Sequence, residues 1–263
     1  TKENSFAAFA LGKLYLAGDA ALPRDPAAAL KWLTYAAELG NQFAQYRLGK
    51  LLLKGDDGIP KDVITAIRWL TAAAKQENGY AEYALALVYL TGEDAPKDSV
   101  KALSLLKRSA GRGNQFAQYR LGKLLLQGED APKDVKAAIR WLTAAAEQGN
   151  QYAQYALGKL YLLGKEVPKD RSSAIKWFQL AADQGNEYAQ YFLKHMDDRL
   201  GQPPVAAVIS LFHHLANIFQ EQNQPPPSGG VRVAVDRKLL RKIKAKKIAQ
   251  GHKADDHEPE MQL

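Results

Sequence analysis

The sequence predicts an all-α solenoid built from about six helix-turn-helix repeats of 36 residues each. The first observation is an internal repeat: NQFAQYRLGKLLL occurs at 41–53 and again at 114–126, and IRWLTAAA occurs at 67–74 and again at 139–146. The second is that prolines and tryptophans recur in step with it, at Pro23, Pro60, Pro96, Pro132, Pro168, Trp32, Trp69, Trp141 and Trp177. A fixed period of this length is typical of solenoids made from one supersecondary unit.

Each repeat is predicted to contain two amphipathic helices. The first helix starts at Gln115 in the fourth copy, and its apolar residues recur with the helical period at Phe116, Ala117, Leu121, Leu124 and Leu125. The second helix starts at Val135 and places one apolar face at Val135, Ala138, Ile139, Leu142 and Ala146. Both helices therefore have a face to bury.

Residues that cap helix ends set the predicted boundaries. Aspartates after the recurring prolines are expected to cap the second helices, namely Asp25, Asp62, Asp98, Asp134 and Asp170. Glycines are expected to end those helices in a left-handed conformation, at Gly40, Gly113, Gly149 and Gly185. Asparagines then cap the next first helix, at Asn41, Asn78, Asn114, Asn150 and Asn186.

Small and bulky residues predict how the helices pack. Glycines recur inside the first helices, at Gly12, Gly49, Gly122 and Gly158. Glycine costs roughly 1 kcal/mol relative to alanine there, so a helix crossing without room for a Cβ is the expected reason. The tryptophans are expected to fill the space between successive repeats. In the third repeat Ala86 replaces the glycine inside the first helix, Leu105 replaces the tryptophan, and Glu77 replaces the glycine that ends the second helix. We therefore predict a looser or bent joint at residues 78–113.

The chain is expected to divide into three parts: a solenoid over 1–221, a Pro/Gly linker over 222–230 and a basic tail over 231–263. A sixth, degenerate repeat is predicted to cap the solenoid, with its second helix at 205–220. The tail is predicted to include a basic helical extension, since leucines and isoleucines are spaced among its lysines. The chain starts at Thr1 without a methionine, which suggests a piece of a longer protein.

The repeat resembles a known family. The segment Ala153 to Asn186 best shows its pattern, A-x-Y-x-L-G-x-L-Y-x-x-G-x-x-V-P-x-D, followed by x-x-x-A-x-x-W-x-x-x-A-A-x-x-G-N. This pattern is similar to the Sel1-like repeat, a relative of the tetratricopeptide repeat, in five copies across most of residues 5 to 200. The resemblance implies a right-handed α-solenoid that binds other proteins and has no chemistry of its own.

A second resemblance concerns the C-terminal end. The segment RKLLRKIKAKKIAQGHKADDHE, with HHLANIFQ upstream, resembles the C-terminal region of relaxases from conjugative elements of gut Firmicutes that carry such repeats. It implies that a DNA-nicking domain precedes this chain and that the chain is an accessory region of a mobilisation protein.

No catalytic constellation is visible, so we expect no enzymatic activity and no cofactor. All five histidines follow residue 194, and the chain has no cysteine, which excludes thiolate chemistry and fits a cytoplasmic protein. The segment GHKADDHE offers nitrogen and oxygen atoms to a metal, but a solvated tail is the preferred interpretation. The acidic loops GEDAPKD lack the ligand spacing of an EF-hand loop and are interpreted as a solvated edge.

Surface columns on the first helices are the candidate partner site. Lysines recur beside the glycine column, and glutamines recur four or five residues earlier; the residues are Lys13, Lys50, Lys123, Lys159, Lys194, Gln45, Gln118, Gln154 and Gln190. With Tyr46, Tyr83, Tyr119, Tyr155 and Tyr191 they would line the concave face as a groove for a protein, peptide or acidic helix. The alternatives are that tyrosine is packing and lysine is solvated charge.

The basic tail offers a second candidate contact. Nine Lys or Arg and one Asp lie between Val231 and Lys253, which equals the whole net charge of +8. The residues expected to contact nucleic acid or an acidic partner are Arg237, Lys238, Arg241, Lys242, Lys244, Lys246 and Lys247. We therefore predict a protein-interaction scaffold, with a DNA-associated accessory region as the alternative. No membrane segment is predicted, and the oligomeric state stays open.

Overall fold

A computed structural model describes residues 2–18, 22–55 and 58–196 as an all-helical stack. Six first helices alternate with five second helices, each packed on the next. The helices are α1 (Lys2–Ala17), α2 (Pro26–Glu38), α3 (Gln42–Lys54), α4 (Val63–Lys75), α5 (Gly79–Thr91), α6 (Ser99–Gly111), α7 (Gln115–Gln127), α8 (Val135–Glu147), α9 (Gln151–Leu163), α10 (Arg171–Asp183) and α11 (Glu187–Met196). The predicted all-α solenoid is confirmed, whereas the sixth second helix, the linker and the tail lie outside the described residues.

The predicted helix caps are confirmed. The Asp25 carboxylate accepts a hydrogen bond from the Ala28 backbone N–H at 2.9 Å, and the Asn41 side chain accepts from the N–H groups of Phe43 and Ala44 at 3.0 Å. The other aspartates and asparagines act in the same way at their own helices. These caps satisfy backbone donors that a helix start would otherwise leave without partners.

The glycine column marks the closest approach of the two helices in a repeat. A Cβ added to Gly49 would lie 2.6 Å from Cγ of Leu70 and 3.0 Å from the Ala66 carbonyl oxygen. At Gly158 it would lie 2.6 Å from the Phe178 ring. The expected crossing without room for a Cβ is therefore confirmed, and it explains why a helix-weakening residue recurs there.

The core lies between the paired helices. One large side chain per second helix is fully buried, namely Leu33, Leu70, Leu106, Leu142 and Phe178. The four tryptophans are partly buried and pack against the core clusters, as predicted. Phe116, by contrast, was expected within the buried stripe of its helix, and 43% of its surface is exposed. That expectation is wrong because Phe116 contacts an aromatic ring of the preceding repeat instead of the core.

The third repeat keeps the core continuous despite its substitutions. Ala86 and Leu105 are both buried in one cluster that runs from Leu70 to Ala138. Glu77 adopts a φ of 66°, where the equivalent Gly113 has 86°. Within the described residues Glu77 is the one non-glycine residue with positive φ, an arrangement that favours glycine. A bend at this joint stays a prediction.

Candidate functional site

One face of the first helices brings aromatic and cationic side chains together. In α3 the residues Phe43, Tyr46, Arg47 and Lys50 are spaced by three or four positions, so they lie on one side of the helix. The opposite side buries Ala44, Leu48 and Leu52 in the core, together with Gln45 and Gly49. We call the exposed side, repeated in α1, α5, α7 and α9, the first-helix face.

Aromatic rings run along this face from repeat to repeat. In α1, α3, α5, α7 and α9 one ring contacts a ring of the next first helix, with centroids 5.9 to 6.3 Å apart. The pairs are Phe9 with Phe43, Tyr46 with Tyr80, Tyr83 with Phe116, Tyr119 with Tyr152, and Tyr155 with Tyr188. Aromatic pairs at such distances add to the burial energy of the rings. The first-helix face therefore carries a row of aromatic pairs, which we call the aromatic ladder, with one pair at each contact between successive first helices.

In four of the five aromatic pairs one ring is partly buried and the other is exposed, whereas Tyr155 and Tyr188 are both partly buried. Tyr46, Tyr83, Tyr119 and Tyr155 are partly buried, and burial raises the pKa of each, that of Tyr119 to about 12. The partner column is 40 to 55% exposed at Phe6, Phe43, Tyr80, Phe116 and Tyr152. The tyrosines thus pack between repeats, and their partners supply the accessible aromatic surface. The sequence analysis missed this second column, although an aromatic residue stands three positions before each tyrosine.

The lysine column lies beside the rings. The Lys13 ammonium lies 5.8 Å from the centroid of the Phe9 ring, within cation–π range. Lys13 and Lys50 are exposed. Lys123 is partly buried, and burial together with the charge of Arg120 lowers its pKa. Lys159 follows the same pattern, with its pKa lowered by burial and by Lys123. Cations from successive repeats therefore repel one another on this face.

Lys194 differs from the other lysines in register. It lies eight residues after the cap Asn186, whereas Lys159 lies nine after the cap Asn150. Lys194 therefore occupies the helical position that Gly158 holds in α9, and its grouping with the lysine column in the sequence analysis was one residue out of register.

The predicted glutamine column lies at the joint between helices. Gln45, Gln118 and Gln154 are only 3 to 6% exposed. The Gln45 amide donates to the Ala37 carbonyl oxygen at 3.0 Å, and it accepts from the Gln76 amide at 2.8 Å. Gln118 and Gln154 form the same contacts with their own repeats. Gln190 also donates to a carbonyl oxygen eight residues back but is exposed.

The third repeat replaces this amide joint with charges. Glu82 stands where the other repeats have glutamine and is fully buried, 2.6 Å from an Arg108 nitrogen and 3.3 Å from an Arg112 nitrogen. Both contacts are ion pairs, so the positive charges of the two arginines compensate the buried carboxylate. Glu82 cannot donate to the Ala74 carbonyl oxygen, and Arg108 donates to it at 3.4 Å instead. Arg112 also pairs with Glu77, which lowers the pKa of that carboxyl.

The acidic loops form ion pairs between successive repeats. Lys61 lies 2.6 Å from Asp94, Lys97 lies 2.8 Å from Asp130, and Lys133 lies 2.8 Å from Glu166. These carboxylates thus have partners in the neighbouring repeat, a role that the interpretation as a solvated edge missed. In the part of the chain that the structure describes, no group of three or more potential ligands is placed to hold a metal ion.

Several predicted contacts cannot be placed. The tail residues Arg237, Lys238, Arg241, Lys242, Lys244, Lys246 and Lys247 lie outside the described residues, as does the segment GHKADDHE. Among the helices that are described, none has the length and apolar character needed to span a bilayer.

A family comparison matches most of the described chain. The Sel1 repeat model matches five consecutive segments, at residues 5–41, 42–78, 79–114, 115–150 and 151–186. Their boundaries coincide with the helix pairs, because each segment ends near the turn between a second helix and the next first helix. No curated protein matched at a significant level.

Solved structures show the same architecture. A protective antigen with an SLR fold from uropathogenic Escherichia coli is 34% identical with a TM-score of 0.66, covering 75% of this chain and 42% of the antigen. A Sel1 repeat protein from Oxalobacter formigenes is 35% identical with a TM-score of 0.66, covering 73% and 55% of the two chains. This chain therefore spans about half the length of these two proteins. An immunity protein from Pseudomonas aeruginosa shares the fold at 22% identity and a TM-score of 0.51. The match covers 76% of this chain and 73% of the immunity protein.

Proposed function

We propose that this chain, which belongs to the Sel1 repeat family, is a non-enzymatic scaffold. In this proposal its first-helix face binds another protein. Sel1 repeat solenoids generally act as protein-interaction scaffolds, and their fold is generally non-catalytic. We place this scaffold in the cytoplasm, consistent with a chain that has no cysteine.

The observation that carries the proposal is the exposed aromatic column with cations beside it. Interface cores are enriched in tyrosine, phenylalanine and arginine, which bury large areas with few rotatable bonds. A row of exposed aromatic side chains along one face is unusual unless a partner covers it. The glutamines Gln45, Gln118 and Gln154 already have partners within the joint, so the proposed contact rests on the aromatic residues and lysines.

The charge of the face indicates an acidic partner. In α3, α7 and α9 the exposed or partly exposed charged residues are all basic, as Arg47, Lys50, Arg120, Lys123 and Lys159 show. Opposite charge on a partner would speed its encounter with this face and favour one orientation. The predicted peptide or acidic helix therefore fits the charge of the surface.

Matched charge reversals test this proposal. One triple variant reverses three charges on the first-helix face: Lys13→Glu, Lys50→Glu and Lys123→Glu. A control triple variant makes the same change in net charge at exposed lysines of the second helices: Lys31→Glu, Lys136→Glu and Lys176→Glu. We expect the first variant to lose partners that the wild-type chain captures from cell extract, and the second to retain them. Equal losses in both variants would contradict the proposal.

The basic tail supports a second candidate function, a DNA-associated accessory region of a mobilisation protein. Nine basic residues against one acidic residue between Val231 and Lys253 would neutralise phosphates regardless of base sequence. A gel-shift assay of the chain with and without residues 231–263, at two salt concentrations, tests it. We expect a shift that salt weakens and deletion abolishes; a shift that persists after deletion would contradict this role.

A further inference from the structure

The first-helix face contains two basic patches. The N-terminal basic patch consists of Lys13, Arg47 and Lys50 on α1 and α3, and the C-terminal basic patch consists of Arg120, Lys123 and Lys159 on α7 and α9. Within the described residues no carboxylate forms an ion pair with Lys50, Arg120 or Lys123. Each patch therefore has a cation, Lys50 in one and Lys123 in the other, that is able to accept a carboxylate from outside the chain.

The helix between the patches carries no cation. In α5 Ala84 stands at the position of Arg47 and Arg120, and Leu87 stands at the position of Lys50 and Lys123. Its one acidic residue, Glu82, is buried against Arg108 and Arg112. Tyr80 is 55% exposed on the same face. We call the surface formed by Tyr80, Ala84 and Leu87 the neutral strip; it is suited to apolar side chains.

The C-terminal patch contains a donor without a partner. The Nε atom of Arg120 is buried and forms no hydrogen bond within the described chain. A guanidinium nitrogen in this state costs free energy until an acceptor reaches it. Beside it, burial and the Arg120 charge lower the pKa of Lys123, so the charged lysine is also destabilised in the unbound chain. A carboxylate bound beside Arg120 and Lys123 would offset the repulsion between these two cations.

The distance between the patches sets the length of the ligand. Adjacent first helices touch through their aromatic pairs, and packed helix axes lie about 8 to 10 Å apart. Two such steps separate Lys50 on α3 from Lys123 on α7, roughly 16 to 20 Å. An extended chain covers about 3.3 Å per residue, so about five or six residues span the gap.

We infer that the first-helix face binds an extended protein segment with two acidic clusters separated by about five or six residues that are mainly apolar. This inference rests on the proposed function and specifies the partner. The acidic clusters would contact the two basic patches, and the apolar centre would lie on the neutral strip. A uniformly acidic segment would place carboxylates against the neutral strip, where they lose water without gaining a cation.

Two synthetic peptides of equal composition test the inference on the full chain. One has glutamates at both ends and a centre of about six apolar residues; the other has the same glutamates in the centre. We expect fluorescence anisotropy to show roughly tenfold tighter binding of the first peptide, about 1.4 kcal/mol. Because both peptides have the same net charge, their long-range attraction to the basic tail is similar.

Four single variants locate the contacts. Lys50→Glu and Lys123→Glu should each lower the affinity for the first peptide roughly tenfold, since each substitution opposes one acidic cluster. The control Lys31→Glu, on α2, should change this affinity less than about twofold. Leu87→Lys adds the lysine that α3 and α7 have at this position. It should raise affinity for the second peptide and remove the preference for the first. Circular dichroism checks that each variant stays helical.

The outcomes separate the inference from the proposed function. If both peptides bind equally and both are weakened by Lys50→Glu and Lys123→Glu, the spacing inference is wrong and the first-helix face remains the binding site. If Lys50→Glu and Lys123→Glu have no more effect than Lys31→Glu, the proposed binding face is wrong as well.

Discussion

Single residues set the distance between the paired helices. Gly122 lies where a Cβ would be 2.7 Å from Cγ of Leu142 and 3.0 Å from the Ala138 carbonyl oxygen. Both neighbours belong to the buried core, so neither can move without disturbing α8. Gly111, at the end of α6, has no atom within 4 Å of such a Cβ. The two glycines therefore offer a direct test of the packing account.

Gly122→Ala and Gly111→Ala should change stability in opposite directions. We expect Gly122→Ala to destabilise the chain by about 1 to 3 kcal/mol through overpacking. Gly111→Ala should stabilise it by up to about 1 kcal/mol because alanine has the higher helix propensity and meets no neighbour. Urea unfolding measures both. A neutral or stabilising Gly122→Ala would show that the crossing has room for a methyl group.

At the scale of helices, the joint inside each repeat uses paired polar side chains. Three repeats join the first helix to the end of the second by an amide pair, Gln45 with Gln76, Gln118 with Gln148, and Gln154 with Gln184. The third repeat has Glu82 and Arg112 at the same two positions. The two substitutions compensate each other, because a buried carboxylate needs a cation and an amide does not.

A double-mutant cycle tests this compensation. Glu82→Gln alone leaves Arg112 without its buried carboxylate, and Arg112→Gln alone removes one of the two cations that contact Glu82. We expect each single variant to lower the free energy of unfolding by about 1 to 2 kcal/mol. Together they recreate the amide pair of the other repeats and should recover most of the loss. Strictly additive losses in urea unfolding would refute the compensation.

The helices and their caps could be predicted from the sequence because their determinants are local and recur in every repeat. Asp25 and Asn41 act on backbone groups two or three residues away, and each glycine of the column meets the large buried side chain of its own second helix. The aromatic pairs could not be predicted in this way. Phe43 looks like a core residue in its own helix, and its actual partner, Phe9, belongs to the preceding repeat.

The candidate site was predicted in part for the same reason. The lysine column follows from spacing along one helix, but the burial of Gln45 depends on contacts with Ala37 and Gln76 from neighbouring helices. Lys61 and Asp94 likewise belong to successive loops, and the sequence alone does not indicate that they meet. Contacts between repeats are thus the part that sequence patterns describe least well.

At the scale of the whole described stack, the repeats build a surface that no single repeat has. One repeat offers only a few aromatic or basic side chains on this face; five in succession offer a row of aromatic pairs, two basic patches and a neutral strip between them. The departures of the third repeat matter here because Leu87 and Ala84 interrupt the cations. On the binding mode that we propose, variation among near-identical repeats determines which ligand fits.

Site-specific photo-crosslinking tests the central claim, that partners bind the first-helix face. A photoreactive amino acid replaces Tyr80 on α5 in one variant and Val100 on α6 in another; these side chains are 55% and 83% exposed. After illumination with a bound partner, we predict a covalent adduct from position 80 and none from position 100. An adduct from position 100 alone would show that the partner binds the second helices and would contradict the account.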